Sequence, residues 1–154
     1  MNKSGKTLAV NKSVSHDYLV LETLEAGLAL VGSEVKSVRA GRVSLKESYA
    51  EVRGGEVFLV KCHISPYEPA NIFNHDPLRD RKLLLHRREI KRLAGKTQER
   101  GLTIVPKRVF IGDRGKIKLE IALARGKREH EKREAIKKRD TDRESRAALK
   151  NRSR

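Results

Sequence analysis

Gly32-Ser33-Glu34-Val35-Lys36-Ser37-Val38-Arg39-Ala40-Gly41 is the stretch on which the fold of this chain turns. It predicts a short helix between two glycines, with Ser33 as N-cap and Gly41 as the C-terminal stop. Val35 and Val38 stand three apart and share a face that presses on a core. Glu34, four residues before Val38, edges that face and is expected to be partly buried. Lys36 and Arg39 form a small basic face pointing elsewhere. By itself this is an ordinary capped helix bridging two strands. The segments on either side give it a place.

Working outward toward the N-terminus, residues 28–31, 18–24 and 8–10 have strand composition. Glu25-Ala26-Gly27 is expected to be a hairpin turn, and Asn11-Lys12-Ser13 a polar turn. Downstream, residues 48–52 and 56–64 form a hairpin about Arg53-Gly54-Gly55. Phe58, Val60, Cys62 and Ile64 are expected on its packed side, with Val57, Leu59, Lys61 and His63 opposite. Cys62 then serves as a small core filler. Asp76-Pro77 is expected to open a helix running through Leu83, Ile90 and Leu93, with a break near His86 allowed by the pattern. Leu102 to Ile111 is a strand in which Pro106 demands an edge or a bulge. After the turn Gly112-Asp113-Arg114-Gly115, residues 116–124 alternate cleanly, with Ile117, Leu119, Ile121 and Leu123 on one face. The order is strand pair, short helix, strand pair, helical segment, strand pair. About six antiparallel strands leave exposed edges unless they close, so the expected fold is mainly β: a six-stranded antiparallel barrel of OB type with about three helices.

The globular part is expected to span residues 1–126 and a basic tail residues 127–154. The tail holds 12 Lys or Arg and 6 Asp or Glu, and Ile136 and Leu149 are its only aliphatics larger than Ala. Such a segment cannot bury enough surface to offset its ordering entropy, so it is expected to be disordered alone. It has no Gly or Pro beyond Gly126 and is rich in helix formers, so it suits helix formation against a polyanion. The plainer alternative is a solubilising basic tail.

The 154 residues carry 36 Lys or Arg against 20 Asp or Glu, a net charge of +16. That excess points first to nucleic acid and second to an anionic membrane surface. No long apolar run, lipidation motif or signal-peptide pattern supports the membrane. A single cysteine forms no disulfide framework and no cysteine metal cluster, so the chain is expected in the cytoplasm. His16, His63, His75, His86 and His130 are dispersed and make no HExxH, and there is no phosphate-binding loop or GxSxG elbow. No catalytic residues, metal ligands or cofactor are expected. The six aromatics, Tyr18, Tyr49, Tyr67, Phe58, Phe73 and Phe110, are too few to serve both a core and a stacking platform for single strands. A folded RNA bound through backbone and shape is the better match.

Several motifs go further. They are the Gly32–Gly41 stretch, Ser48-Tyr49, Gly55-Glu56-Val57-Phe58-Leu59, His63-Ile64-Ser65-Pro66-Tyr67, Asp76-Pro77-Leu78-Arg79-Asp80-Arg81-Lys82-Leu83-Leu84-Leu85, Arg88-Glu89-Ile90 and Gly126-Lys127. In this order and spacing, over nearly the whole chain, they resemble the small protein B family, the SsrA-binding proteins of bacteria. The resemblance implies a non-enzymatic protein whose OB barrel binds the tRNA-like end of transfer-messenger RNA (tmRNA). It implies entry with alanylated tmRNA into ribosomes stalled without a stop codon. Elongation factor Tu with GTP and alanyl-tRNA synthetase are then indirect partners, through the RNA. The tail is implied to enter the vacant mRNA channel beside the small-subunit decoding centre and to become helical there. Asn11 and Glu34 match family positions tied to tmRNA binding. Glu34, unable to attract phosphate, is assigned an orienting role, holding its loop or a base or ribose. Lys12, Lys36, Arg39 and Arg42 are assigned backbone contacts. Lys127, His130, Glu131, Lys132, Arg133, Ile136, Lys137 and Lys138 are assigned to the ribosome. Glu131 stands where the family usually has Asp, which lengthens that reach by one methylene. The rival reading is a ribosomal protein or general chaperone for structured RNA.

Overall fold

The computed structural model describes residues 5–99, 101–127 and 129–152. Its frame is the hairpin of β8 (Leu102–Ile111) and β9 (Ile117–Gly126), paired from Ile111↔Ile117 to Leu102↔Arg125. Strand β2 (Tyr18–Leu28) lies along the other edge of β9. Its last residues pair with β7 (Arg81–Leu84), which pairs in turn with β5 (Glu56–Val60) and that with β4 (Tyr49–Arg53). Ala50 of β4 meets Ile104 of β8 and closes a six-stranded antiparallel ring. This is the expected OB-type barrel. Strand β1 (Thr7–Val10) joins the same edge of β8 further along, at residues 108–110. Pro106 falls between these two pairings, and β8 shifts register against β9 there, so its missing N–H costs nothing. Strands β3 (Val43–Ser44) and β6 (His63–Ile64) make a small separate pair.

The barrel is filled by alternate residues. Val57, Leu59, Leu83, Ile104, Leu119 and Ile121 are each 1 % exposed or less. Helix α2 (Gly32–Arg39) adds Val38 to this core, and α3 (Arg87–Thr97) adds Leu93. Helix α1 (Ser13–Asp17) instead covers the outside of the β8–β9 hairpin, where Val14 packs on Val105, Ala122 and Ala124. Small residues on that face let α1 sit close.

Four local expectations need correction. Strand β2 runs unbroken through Glu25-Ala26-Gly27. Gly27 serves a close approach, since a Cβ there would lie 3.0 Å from the Leu84 Cβ of β7. Residues 81–84 are a strand, with Arg81 and Leu83 inward and Lys82 and Leu84 outward. The triple leucine fits either period, and the gap between β5 and β2 decides it. In β5 the inward residues are Val57 and Leu59. Lys61 then adopts a left-handed conformation (φ +61°), which resets the alternation so that Cys62 and Ile64 turn inward. Burial pushes the Cys62 thiol up to about 11, as befits core filler. Finally, Ser33 is not the cap of α2; Val31 holds that position.

Residues Glu129–Arg152 form the 24-residue helix α4. The sequence alone predicts disorder here, because the segment has no apolar stripe to bury. The root of the helix is fastened: Lys127 donates its backbone N–H to Asp17 O (2.8 Å) and its ammonium to Ser15 O (2.9 Å), both on α1.

Candidate nucleic-acid interface

Helix α2 is held by charge as much as by packing. Glu34 has no exposed surface. Its Oε1 accepts the Val31 N–H at 3.0 Å and an Arg79 Nη2–H at 2.5 Å, while Oε2 accepts Arg81 Nε–H at 2.5 Å. Arg81 is equally buried and donates further to the carbonyls of Cys62, Asp76 and Pro77. Burial by itself raises the Glu34 carboxyl. The bonds from Arg79, the Val31 amide and Arg81 outweigh it and leave the group below the ordinary carboxylate range. One carboxylate thus ties the start of α2 to the 76–81 segment and to the break after β5. Ser33 adds a second tie. Its Oγ lies 2.8 Å from His75 Nδ1, and His75 Nε2 lies 2.9 Å from Ile64 O, so a proton on Nε2 satisfies both contacts. The helix ends as expected. Gly41 (φ +78°) donates to Val38 O and Arg42 to Ser37 O, a Schellman arrangement.

Asn11 plays the corresponding part at the barrel's other corner. Its amide donates to Pro106 O (3.1 Å) and Leu45 O (3.4 Å), and its Oδ1 accepts from the Ser13 hydroxyl (2.7 Å) and amide (3.3 Å). It joins β1, β8 and the loop after β3, and starts α1.

Of the residues singled out in sequence, Asn11 and Glu34 therefore spend their polar atoms inside the protein. The Glu34 carboxylate is turned inward, to the Val31 amide, Arg79 and Arg81. Lys12, Lys36, Arg39 and Arg42 are all exposed, and none has a carboxylate partner among the described residues. Lys36 Nζ lies 5.3 Å from the Tyr67 ring centre, and Ser65 donates to Arg42 O, so both border the 65–67 segment. Lys12 lines one groove with Lys46, running between β1 and the loop after β3. Lys12 thus borders β3, Arg42 precedes it, Lys36 faces Tyr67, and Arg39 reaches Gly115 O in the β8–β9 turn. In the tail, Arg133, Lys137 and Lys138 are exposed, and the side chains of His130, Glu131, Lys132 and Ile136 lie outside the described residues.

Sequence reasoning missed Arg79 and Arg81. The pattern puts them inside the expected helix that Asp76-Pro77 opens, and their partner lies 45 and 47 residues away. The Arg-x-Arg spacing beside an apolar run was the available signal, since period two puts both on one face of a strand. It also missed a cleft between β2, β7 and α3, lined by exposed Glu25, Lys82, His86 and Arg87 and by apolar Leu84 and Leu85.

The family model for SmpB protein matches residues 8–151. An SsrA-binding protein of Symbiobacterium thermophilum is 56 % identical over 145 residues, covering 94 % of this chain and 92 % of that protein. The SsrA-binding protein of Caldicellulosiruptor bescii is 57 % identical, with 94 % and 91 % covered. That of Enterococcus faecalis is 52 % identical, with 96 % and 95 % covered. A chain of the solved structure described as "tmRNA-SmpB: a journey to the center of the bacterial ribosome" superposes with a TM-score of 0.67. It is 47 % identical, over 83 % of this chain and 93 % of that one.

Proposed function

The chain belongs to the SmpB protein family, and from that premise we propose that it binds the tRNA-like domain of tmRNA and delivers it to stalled ribosomes for trans-translation. The observation that carries the proposal is the exposed cations Lys12, Lys36, Arg39 and Arg42, which have no carboxylate partner among the described residues, two of them on a helix that buried Glu34 holds in place. A surface of this kind grips phosphate from a fixed frame, and so reads the shape of a folded RNA. Asn11 and Glu34 are positioning residues: they fix the turn that carries Lys12 and the helix that carries Lys36 and Arg39.

The barrel, residues 1–126, binds tmRNA, and the tail, 127–154, serves the ribosome. The α4 helix has no apolar stripe to pack on the barrel, and it is held in the vacant mRNA channel near the decoding centre, where phosphate neutralises the mutual repulsion of its cations. Elongation factor Tu with GTP and alanyl-tRNA synthetase meet the protein through tmRNA. The work is binding and positioning rather than catalysis, and it takes place on cytoplasmic ribosomes. No helix among the described residues is long and apolar enough to cross a membrane.

The test is selective capture. The full chain, titrated into equimolar tRNA-like domain and elongator tRNA, is expected to shift the tRNA-like domain first. Equal affinity for both RNAs would favour the general structured-RNA chaperone instead.

A further inference from the structure

Helix α1 has one end on the Asn11–Lys12 turn and the other on the root of the tail. At its start, Asn11 Oδ1 accepts the Ser13 hydroxyl and amide, and Lys12 holds the N-cap position. Val14 seats it on Val105, Ala122 and Ala124 of the β8–β9 hairpin. A helix of five residues cannot satisfy its own last carbonyls, so they need donors from elsewhere. The Tyr18 N–H serves Val14 O, and Lys127 serves two more. The Lys127 backbone N–H goes to Asp17 O (2.8 Å), one step beyond the Tyr18↔Gly126 pair that ends the β2–β9 ladder. Its ammonium goes to Ser15 O (2.9 Å), the place a lysine takes at the C-terminal carbonyls of a helix. The family resemblance assigns Lys127 to the ribosome; in the structure its charge is turned to α1.

Helix α4 begins at Glu129, two residues after this fastening, and runs for 24 residues. At 1.5 Å per residue it is about 36 Å long, so a swing of about 10° at the root carries its far end about 6 Å, more than one helical turn. A free root would spread the cations of the tail over a wide arc, and a fastened root aims them. One N–H···O bond by itself is an axle about which the chain can turn. The second bond, two residues back along α1, blocks that rotation. We propose that Lys127 is a positioning residue, and that α1 is the joint through which it sets the bearing of α4 relative to the RNA-binding turn. This rests on the division of labour given above, and it gives Lys127 a role that needs no contact with ribosomal RNA. Because one short helix carries both attachments, the tail is aimed from the same element that places Lys12.

The test uses the full chain with saturating tmRNA and reads peptide tagging on stalled ribosomes. Lys127→Met keeps the stem of the side chain and loses the donor, and is expected to lower tagging about fivefold or more, the low end of a coupling between two sites. Lys127→Arg keeps a donor of similar reach and should tag as the original does. Insertion of two glycines after Lys127 leaves every cation in the chain but frees the root, and should lower tagging as Lys127→Met does. Normal tagging by the insertion beside a loss in Lys127→Met would make the lysine a direct ribosome contact. Full tagging by Lys127→Met would leave its amine no role. Either result overturns the proposal, as does a failure of Lys127→Arg to match the original. Backbone nitrogen relaxation of the free chain gives a reading that does not involve the ribosome. The Lys127 amide should be as rigid as β9 in the original protein and in Lys127→Arg, with an order parameter of about 0.85, and should fall toward about 0.6 in Lys127→Met. A mobile amide in the original protein refutes the joint. If the amide responds as stated while the original protein supports no tagging, the functional reading fails and the joint stands.

Discussion

Replacing Glu34 by Gln changes a carboxylate to an amide of nearly the same shape, so its effect isolates charge. Arg81, with no exposed surface, then keeps its carbonyl acceptors at Cys62, Asp76 and Pro77 but loses its counter-ion. Removing one member of a buried pair costs about 3–5 kcal/mol, because the surviving charge is left desolvated and uncompensated. The Arg79 contribution is smaller, since that side chain is 40 % exposed and water replaces the lost partner. Glu34→Ala should cost about 1 kcal/mol more, by freeing the Val31 N–H at the helix start. Against a typical total of about 5–15 kcal/mol either variant can still fold, with its melting midpoint lowered by roughly 10–20 °C. Urea unfolding followed by far-ultraviolet circular dichroism gives the free energy directly. The chain has no Trp, which makes tryptophan fluorescence unsuitable. The pH dependence supplies a second check. Glu34's carboxyl is lowered on folding, so its contribution is fully present above the unfolded value near 4.5 and is lost as pH falls through the lower folded value. The gap between the original protein and Glu34→Gln should therefore close in acid. Both variants should also bind the tRNA-like domain more weakly at 25 °C, although simple electrostatics predicts slightly tighter binding when an anion is removed. An unfolding free energy for Glu34→Gln within about 1 kcal/mol of the original, or unchanged RNA affinity, would refute the reasoning.

Three further outcomes are expected. Asn11→Ala strands the carbonyls of Pro106 and Leu45 and the Ser13 donors, and should cost about 1–3 kcal/mol in urea unfolding while weakening RNA binding; a loss of affinity at full stability would instead make Asn11 a direct RNA contact. If the barrel makes six phosphate contacts, binding of the tRNA-like domain should fall with salt at a log–log slope of roughly −4 to −5, and a nearly flat dependence would reduce the basic face to a solvated surface. A chain ending at Lys127, which keeps the ties to Ser15 and Asp17, should retain tmRNA affinity yet fail to support peptide tagging on stalled ribosomes; Lys132→Glu with Arg133→Glu should split the two activities in the same way, and loss of both together would undo the division of labour.

What the sequence determined by itself were the features whose signals are local. The alternation Ile117, Leu119, Ile121, Leu123 specifies β9, because period two is enough to place four apolar residues on one face. Gly54 and Gly55 both have positive φ in the turn between β4 and β5, and Gly41 ends α2. The charge excess predicts a polyanionic partner whatever the fold, and the family motifs lie in linear order. Tertiary structure decided the rest. Leu83-Leu84-Leu85 satisfies either period, and becomes strand only because β5 and β2 leave one place open between them. Glu25-Ala26-Gly27 has turn composition, yet stays extended because β9 pairs along it and β7 needs the room a Cβ would take. Most of all, the partners of Glu34 lie far along the chain. A carboxylate is carried into a protein interior only where cations are carried in with it. Which cations those are is a fact of how the ring closes, since closure brings β7 and the segment before it against the first turn of α2.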